Sequence, residues 1–195
     1  MFTSSTKYYP SVKRLFDFLL SLLAILVICS WLFPLIAIVI RLNSPGPIFY
    51  RQQRWGKGNR PFWCLKFRTI YIEAPRLTNI GVFLRRSRWD KLPLLFNVLR
   101  GELSIVGPRP HTYSMHDQAM KMEKNHYKLS VKPGITGWAQ VNGFRGESAI
   151  PELWCARVKH DLWYIENQHF LLDIKIVMLT IRNILLGSDT SFPHT

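Results

Sequence analysis

From Phe18 to Ile40 the chain runs through 23 residues without a charge, FLLSLLAILVICSWLFPLIAIVI. An uncharged run of that length predicts a helix about 34 Å long at about 1.5 Å per residue, enough to cross a hydrocarbon core of about 30 Å. Pro34 lies inside the run, where its missing N–H and its ring favour a kink. Beyond Ser44–Pro47, whose Pro/Gly chemistry ends the helix, PIFYRQ and PFWCLKFR predict two strands, with Gly56 to Asn59 as a hairpin turn between them. Leu92, Leu95, Phe96 and Leu99 then recur at helical spacing; Asp90 stands at the N-cap position, Pro93 in the first turn and Gly101 at the stop. The last element, FLLDIKIVMLTIRNILLG, predicts a helix with a broad apolar face and a narrow polar one carrying Asp173, Lys175, Arg182 and Asn183. That pattern fits a membrane interface and a protein core equally. Residues 1–12 read as a flexible head, 13–42 as an apolar helix kinked at Pro34, 43–187 as one folded domain and 188–195 as a tail.

Composition changes this picture in one respect, the charge. A net charge of +14 over 195 residues predicts an anionic partner: nucleic acid, an anionic membrane surface or a phosphorylated substrate. Nucleic acid has no recognised binding motif in its favour and the apolar segment against it, so none is expected as a partner. Cys29, Cys64 and Cys155 are odd in number and far apart, which suggests neither a disulfide framework nor a zinc site and fits a reducing compartment. No small-residue cleavage site follows a short apolar core, so the run is not read as a signal peptide.

Charge also bears on topology. Lys7, Lys13 and Arg14 precede the apolar run; Arg41, Arg51, Arg54, Lys57, Arg60, Lys66 and Arg68 follow it, with no acid between Asp17 and Glu73. The positive-inside tendency then keeps both ends on the cytoplasmic side, which a straight crossing cannot do. A helix that enters, breaks at Pro34 and returns satisfies both ends. An ordinary crossing with the amino terminus outside is the alternative that the few N-terminal cations leave open.

The candidate chemistry lies downstream. Lys66 and Arg68 alternate with Phe67, which in a strand puts both cations on one face, either solvated or facing a ligand. Asp90 is one carboxylate among Arg85, Arg86, Arg88 and Lys91. Capping is a sufficient structural reason for it. A helix N-terminus also keeps a carboxylate ionised and attracts phosphate, so a nucleophile fits the same place. Arg109 is framed by Pro108 and Pro110, which fix the backbone of a residue suited to phosphate or a base ring. VKPGITGWAQVNGFRGE is a glycine-rich loop carrying Trp138, Gln140, Asn142 and Arg145, able to read a nucleotide or a sugar; no phosphate-loop or dinucleotide fingerprint is present.

These motifs together, KRLFD, SPGPIFYRQ, KFRT, RLTNIGVFLRR, DKLPLLFNVLRGELSIVGPRP, VKPGITGWAQVNGFRGE and DLWYIENQHFLLDIKI, make the chain resemble the bacterial sugar transferases from about Lys13 to Gly187. These are monotopic phosphoglycosyl transferases that load a sugar phosphate onto polyprenyl phosphate. The resemblance implies an α/β, mostly helical fold: residues 13–42 as a re-entrant membrane helix kinked at Pro34, and residues 43–187 as a cytosolic catalytic domain with a short antiparallel β-hairpin and amphipathic interfacial helices, on the cytosolic face of the bacterial inner membrane. It further implies a UDP-sugar and undecaprenyl phosphate as substrates, the lipid bilayer as partner, self-association left open, and exopolysaccharide or glycoconjugate synthesis as the setting. Carried over by position, Asp90 is the nucleophile toward the β-phosphate. Lys66, Arg68, Arg85 and Arg109 serve the phosphates and nucleotide, Gln140 the substrate, and Asp173 is an acid of the closing helix near the site. The family links Mg²⁺ to a glutamate following the aspartate, but here Lys91 occupies that place, so Lys91 joins Asp90 in the catalytic pair and the metal expectation is weakened. Arg88 and Trp89 also replace a small polar residue and leucine, Phe33 a serine before the membrane proline, and Gln168 a tryptophan. The second reading is a non-catalytic paralogue that binds a UDP-sugar or a lipid phosphate.

Overall fold

The computed structural model describes residues 9–111, 130–144 and 151–186. The head as far as residue 8, Arg145 and the tail from residue 187 lie outside the described residues. Helix α1 (Tyr9–Ala24), a π-helical stretch (Ile25–Cys29) and α2 (Ser30–Asn43) follow without interruption, forming one apolar helix of 35 residues. Tyr9 to Val12 are therefore helical rather than part of a flexible head.

Strands β1 (Phe49–Trp55) and β2 (Pro61–Phe67) form the expected antiparallel hairpin, registered Phe49 to Phe67 and Trp55 to Pro61 around a tight turn at Lys57–Asn59. Helix α3 (Asn79–Arg86) starts where the Thr78 hydroxyl accepts from the Gly81 amide at 2.9 Å. A 3-10 turn (Trp89–Lys91) leads to α4 (Leu94–Arg100), which ends at Gly101 with φ of 83°, the left-handed stop that glycine adopts without strain. A second sheet was not legible in the sequence: β3 (Ser104–Val106) pairs in parallel with β4 (Gly134–Thr136). Its strands approach so closely that a Cβ on Gly134 would sit 2.1 Å from the Gly107 amide nitrogen. Helices α5 (Trp138–Val141), α6 (Pro151–Asn167) and α7 (Phe170–Leu185) complete the body.

The long helix meets this body at both ends. Near its start, Arg14 donates to the carbonyls of Val98 and Leu99 at the last turn of α4, where a cation complements the helix dipole. Asp17, buried, accepts from the Ser104 hydroxyl at 2.7 Å and the Ile105 amide at 3.1 Å. Farther along, Phe33 packs against Phe67 and Phe96, with ring centroids 5.0 and 5.9 Å apart, and Leu32, Ile36 and Ile40 join Phe67 and Leu84 in a core cluster. A straight helix would hold Arg14 and Phe33 about 28 Å apart, yet both reach α4, which is only about 10 Å long. The long helix is therefore bent between them. The expected break at Pro34 takes another form: Pro34 stays inside α2, and the ladder changes at Ile25–Cys29. Pro34 has no N–H for the Ser30 carbonyl and its ring pushes that carbonyl away, and the wider π turns immediately upstream accommodate the displacement.

Around the bend, Leu19, Leu23, Leu26, Val27, Trp31, Leu35 and Ile38 are each more than half exposed. Helix α7 has apolar side chains on both faces: Leu172 and Ile176 pack with Val106 and Tyr164, whereas Leu171, Met178 and Leu185 point outward. Between α7 and α1 lies a buried polar knot. Asp173 accepts from the hydroxyls of Tyr9 at 2.8 Å and Tyr164 at 2.6 Å and pairs with the Lys13 ammonium.

Truncating Asp173 takes the carboxylate from Lys13 and the Tyr9 hydroxyl and leaves the Tyr164 hydroxyl with its longer bond to the Val106 carbonyl at 3.4 Å. Asp173→Ala should cost about 3–5 kcal/mol, seen as a large drop in the thermal unfolding midpoint in detergent micelles. Gly134→Ala should also lower the midpoint, because its methyl cannot be placed without parting β3 from β4.

Candidate active site

The hairpin register decides which side chains share a face. Gln52 pairs with Cys64, Arg54 with Phe62 and Tyr50 with Lys66, so Arg54, Gln52 and Lys66 lie on one side of the sheet. Gln52 joins them: its Oε1 accepts from Arg54 at 2.8 Å and from the Lys66 ammonium at 3.2 Å. Arg54 also donates to the Pro110 carbonyl at 3.3 Å, which ties the hairpin to the Pro108–Pro110 frame of Arg109.

Arg68 does not share this face. β2 ends at Phe67, and the buried Arg68 guanidinium donates to the carbonyls of Pro45 at 2.7 Å and Ser44 at 2.8 Å. Its place is the turn that closes the long apolar helix, so it was expected at substrate phosphate and is found holding backbone.

Asp90 is not a helix cap. It lies inside the 3-10 turn; α4 begins four residues later behind Pro93, with no side chain capping it. The preceding Arg88 adopts φ of 62°, a left-handed conformation uncommon for a residue with a side chain, and this turns the chain between α3 and Asp90. The Asp90 carboxylate is buried, and its Oδ1 accepts no hydrogen bond among the described residues. Burial raises its pKa above the usual carboxylate range, against the opposing fields of Lys91, Lys66, Arg85 and Arg88. Burial pulls the neighbouring Lys91 ammonium down to about 8, with Asp90 opposing and the cations Arg88, Arg109 and Lys66 adding to the shift. Lys66 is lowered too, first by burial and then by Arg54. Arg85 is near enough to act on Asp90, while its Nε donates to the Thr69 hydroxyl at 3.0 Å.

A cavity of about 250 Å³ opens beside Asp90, with Arg54, Lys66, Arg88, Lys91 and Arg109 among its lining residues. Gln140 reaches it from α5, and Leu92, Leu95, Ile135 and Ile184 form its apolar side. No carboxylate lines it. Thus Lys66, Lys91, Arg109 and Gln140 come together around the cavity with Asp90 and Arg85 next to it, while Arg68 and Asp173 stand elsewhere. Helix α7 presents Thr180 and Ile184 to the cavity, and Asp173 lies two turns away on the knot with Tyr9 and Lys13. Arg88, read in the sequence among the cations around Asp90, belongs to the lining, as do Arg54 and Thr180, which were not singled out there. Of these two only Arg54 had a signal, since a hairpin turned at Gly56–Asn59 puts it on the Lys66 face.

The donor set does not suit a divalent metal. Magnesium is ordinarily held by one or two carboxylates together with substrate phosphates. Among the described residues no three of His, Cys, Asp and Glu gather anywhere, and Asp90 stands alone among cations. An ammonium about 5 Å from a divalent ion would repel it by roughly 7 kcal/mol at an effective dielectric constant of about 20.

The sequence profile of the bacterial sugar transferases matches residues 8–187. A UDP-glucose:undecaprenyl-phosphate glucose-1-phosphate transferase of Xanthomonas campestris pv. campestris is 42% identical, over 95% of this chain and 41% of that protein. The protein of the same name from Escherichia coli (strain K12) is 42% identical, over 87% of this chain and 39% of its own length. An exopolysaccharide production protein PSS of Rhizobium leguminosarum bv. phaseoli is 37% identical, over 87% of this chain and 93% of that protein. The chain thus spans about two fifths of the length of the first two relatives and nearly all of the third. A match over every described residue, with the motif cations gathered at one cavity beside Asp90, makes the chain a member of the bacterial sugar transferase family.

Proposed function

We propose that this chain transfers a hexose 1-phosphate, glucose 1-phosphate by analogy with the two relatives named for it, from a UDP-sugar to undecaprenyl phosphate. The observation that carries the reading is the buried, unbonded Oδ1 of Asp90 beside a cavity whose charged lining is entirely cationic. In water such a carboxylate would be hydrated and a poor nucleophile; here burial strips its solvent and the cations offset its repulsion of a diphosphate. Asp90 attacks the β-phosphorus, the bond from that phosphorus to the α-phosphate oxygen breaks, and UMP departs with the electron pair. A phosphate oxygen of undecaprenyl phosphate then attacks the same phosphorus and releases the Asp90 carboxylate. Lys66, Lys91 and Arg109 hold the phosphates through both steps, and Gln140 contacts the nucleotide or sugar.

The bent helix supports a re-entrant seat on the cytosolic face of the inner membrane. Both of its ends dock on one body, cations flank both ends, and the apolar side chains around the bend point outward. The outward face of α7, with Leu171, Met178 and Leu185, lies in the same interface, so that the soluble donor and the lipid acceptor meet at one cavity.

Asp90→Asn should lower UMP release from UDP-glucose by about a thousand-fold or more while changing UDP-glucose affinity by only a few-fold. Wild-type protein in nanodiscs with undecaprenyl phosphate that released no more UMP than this variant, across a panel of UDP-sugars, would leave a binding protein instead. The pH dependence follows from Lys91. Its charge is present below about pH 8 and is lost as pH rises through that value, so KM for the UDP-sugar should climb above pH 8 in wild type. In Lys91→Arg that rise should disappear, because guanidinium does not titrate in this range.

A further inference from the structure

Resting on the proposed transfer, we infer that the Lys91 ammonium, with Lys66 beside it, serves as this chain's diphosphate counter-ion and that the reaction requires no divalent cation. The groups already described lead there. A nucleotide diphosphate and the attacking carboxylate together bring about three negative charges to one phosphorus, and something must neutralise them. The cavity lining supplies five cationic side chains and no carboxylate that could hold a metal against the substrate.

Those cations are not equivalent. Arg54 is engaged by Gln52 and the Pro110 carbonyl, and Arg85, outside the lining, by Thr69. Lys66 gives one hydrogen to Gln52 and keeps two. Lys91 is the distinctive one. It sits next to Asp90 in the chain and feels its field, yet the two make no hydrogen bond or direct ion pair among the described residues. Lys91 lines the cavity and Asp90 is buried next to it in the chain, an arrangement of unpaired charges that costs folding free energy and becomes favourable once a phosphate comes between them. A phosphate placed there would receive hydrogen bonds from the ammonium and present its phosphorus to the carboxylate. An ammonium there supplies the positive charge that a metal would otherwise bring to the phosphates, and it would repel a metal from the same place.

The test uses the full chain in nanodiscs, with UDP-glucose turnover and equilibrium binding of UDP each measured in excess EDTA and in excess Mg²⁺. UMP release and the Kd for UDP should agree between the two conditions to within about two-fold. Lys91→Met should weaken UDP by about ten-fold or more in both conditions, and Lys91→Glu should make turnover depend on added Mg²⁺. A loss of ten-fold or more in wild-type turnover or UDP affinity on chelation would overturn the inference while leaving the transfer reaction standing. Lys91→Met with unchanged UDP affinity would also overturn it. Absence of both UDP binding and UMP release with metal and without it would overturn the underlying reading as well.

Discussion

An apolar helix of 35 residues cannot be comfortable in water, and this one cannot leave the body to which both its ends are fastened. The rest of the architecture follows from that conflict. Arg14 and Asp17 hold the first half to α4 and β3, Asp173 holds its start to α7, and Arg68 holds the turn after its end. Each tie is polar and buried or nearly so, where an unpaired group would cost several kcal/mol. A purely apolar contact would let the helix slide; directional bonds to named carbonyls and carboxylates do not. The bend at Ile25–Cys29 is the only irregular turn the described helix carries, and it leaves the intervening apolar surface facing outward.

The same ties bear on the chemistry. β3, gripped by Asp17, runs directly into the Pro-framed Arg109, and α4, gripped by Arg14, begins just after Asp90 and Lys91. The hairpin that supplies Arg54 and Lys66 is attached to the Arg109 frame through the Pro110 carbonyl. The cations are thus carried on the elements that hold the long apolar helix, and their mutual repulsion is balanced by packing elsewhere in the body. A concentration of like charge of this kind is a place where stability is given up for a function that needs an anion.

Much of this was readable in the chain. The long apolar run, the hairpin around Gly56–Asn59, the stop at Gly101 and the cationic setting of Asp90 follow from local rules: hydrophobic length, alternation, glycine's left-handed freedom and charge order. Those rules act within a few residues, so a linear reading can apply them. They read Asp90 first as a cap and left the nucleophile as the second use, because both ask for the same residue at the same offset.

Tertiary structure separated the two. Only once α4 begins at Leu94 does Asp90 lose its capping role, and only the fold shows its Oδ1 buried and unbonded. Arg68 and Asp173 went the other way: both looked like site residues, and long-range contacts assign one to the Ser44–Pro45 carbonyls and the other to Tyr9, Lys13 and Tyr164. The parallel pairing of Ser104–Val106 with Gly134–Thr136 and the bend upstream of Pro34 likewise depend on partners far away in sequence. Sequence by itself determined which segments would be apolar and helical, extended or turned, and where charge would accumulate. Which charges face a ligand and which hold backbone was decided by the fold, because a side chain's partners are set by distances that close only when the chain is folded.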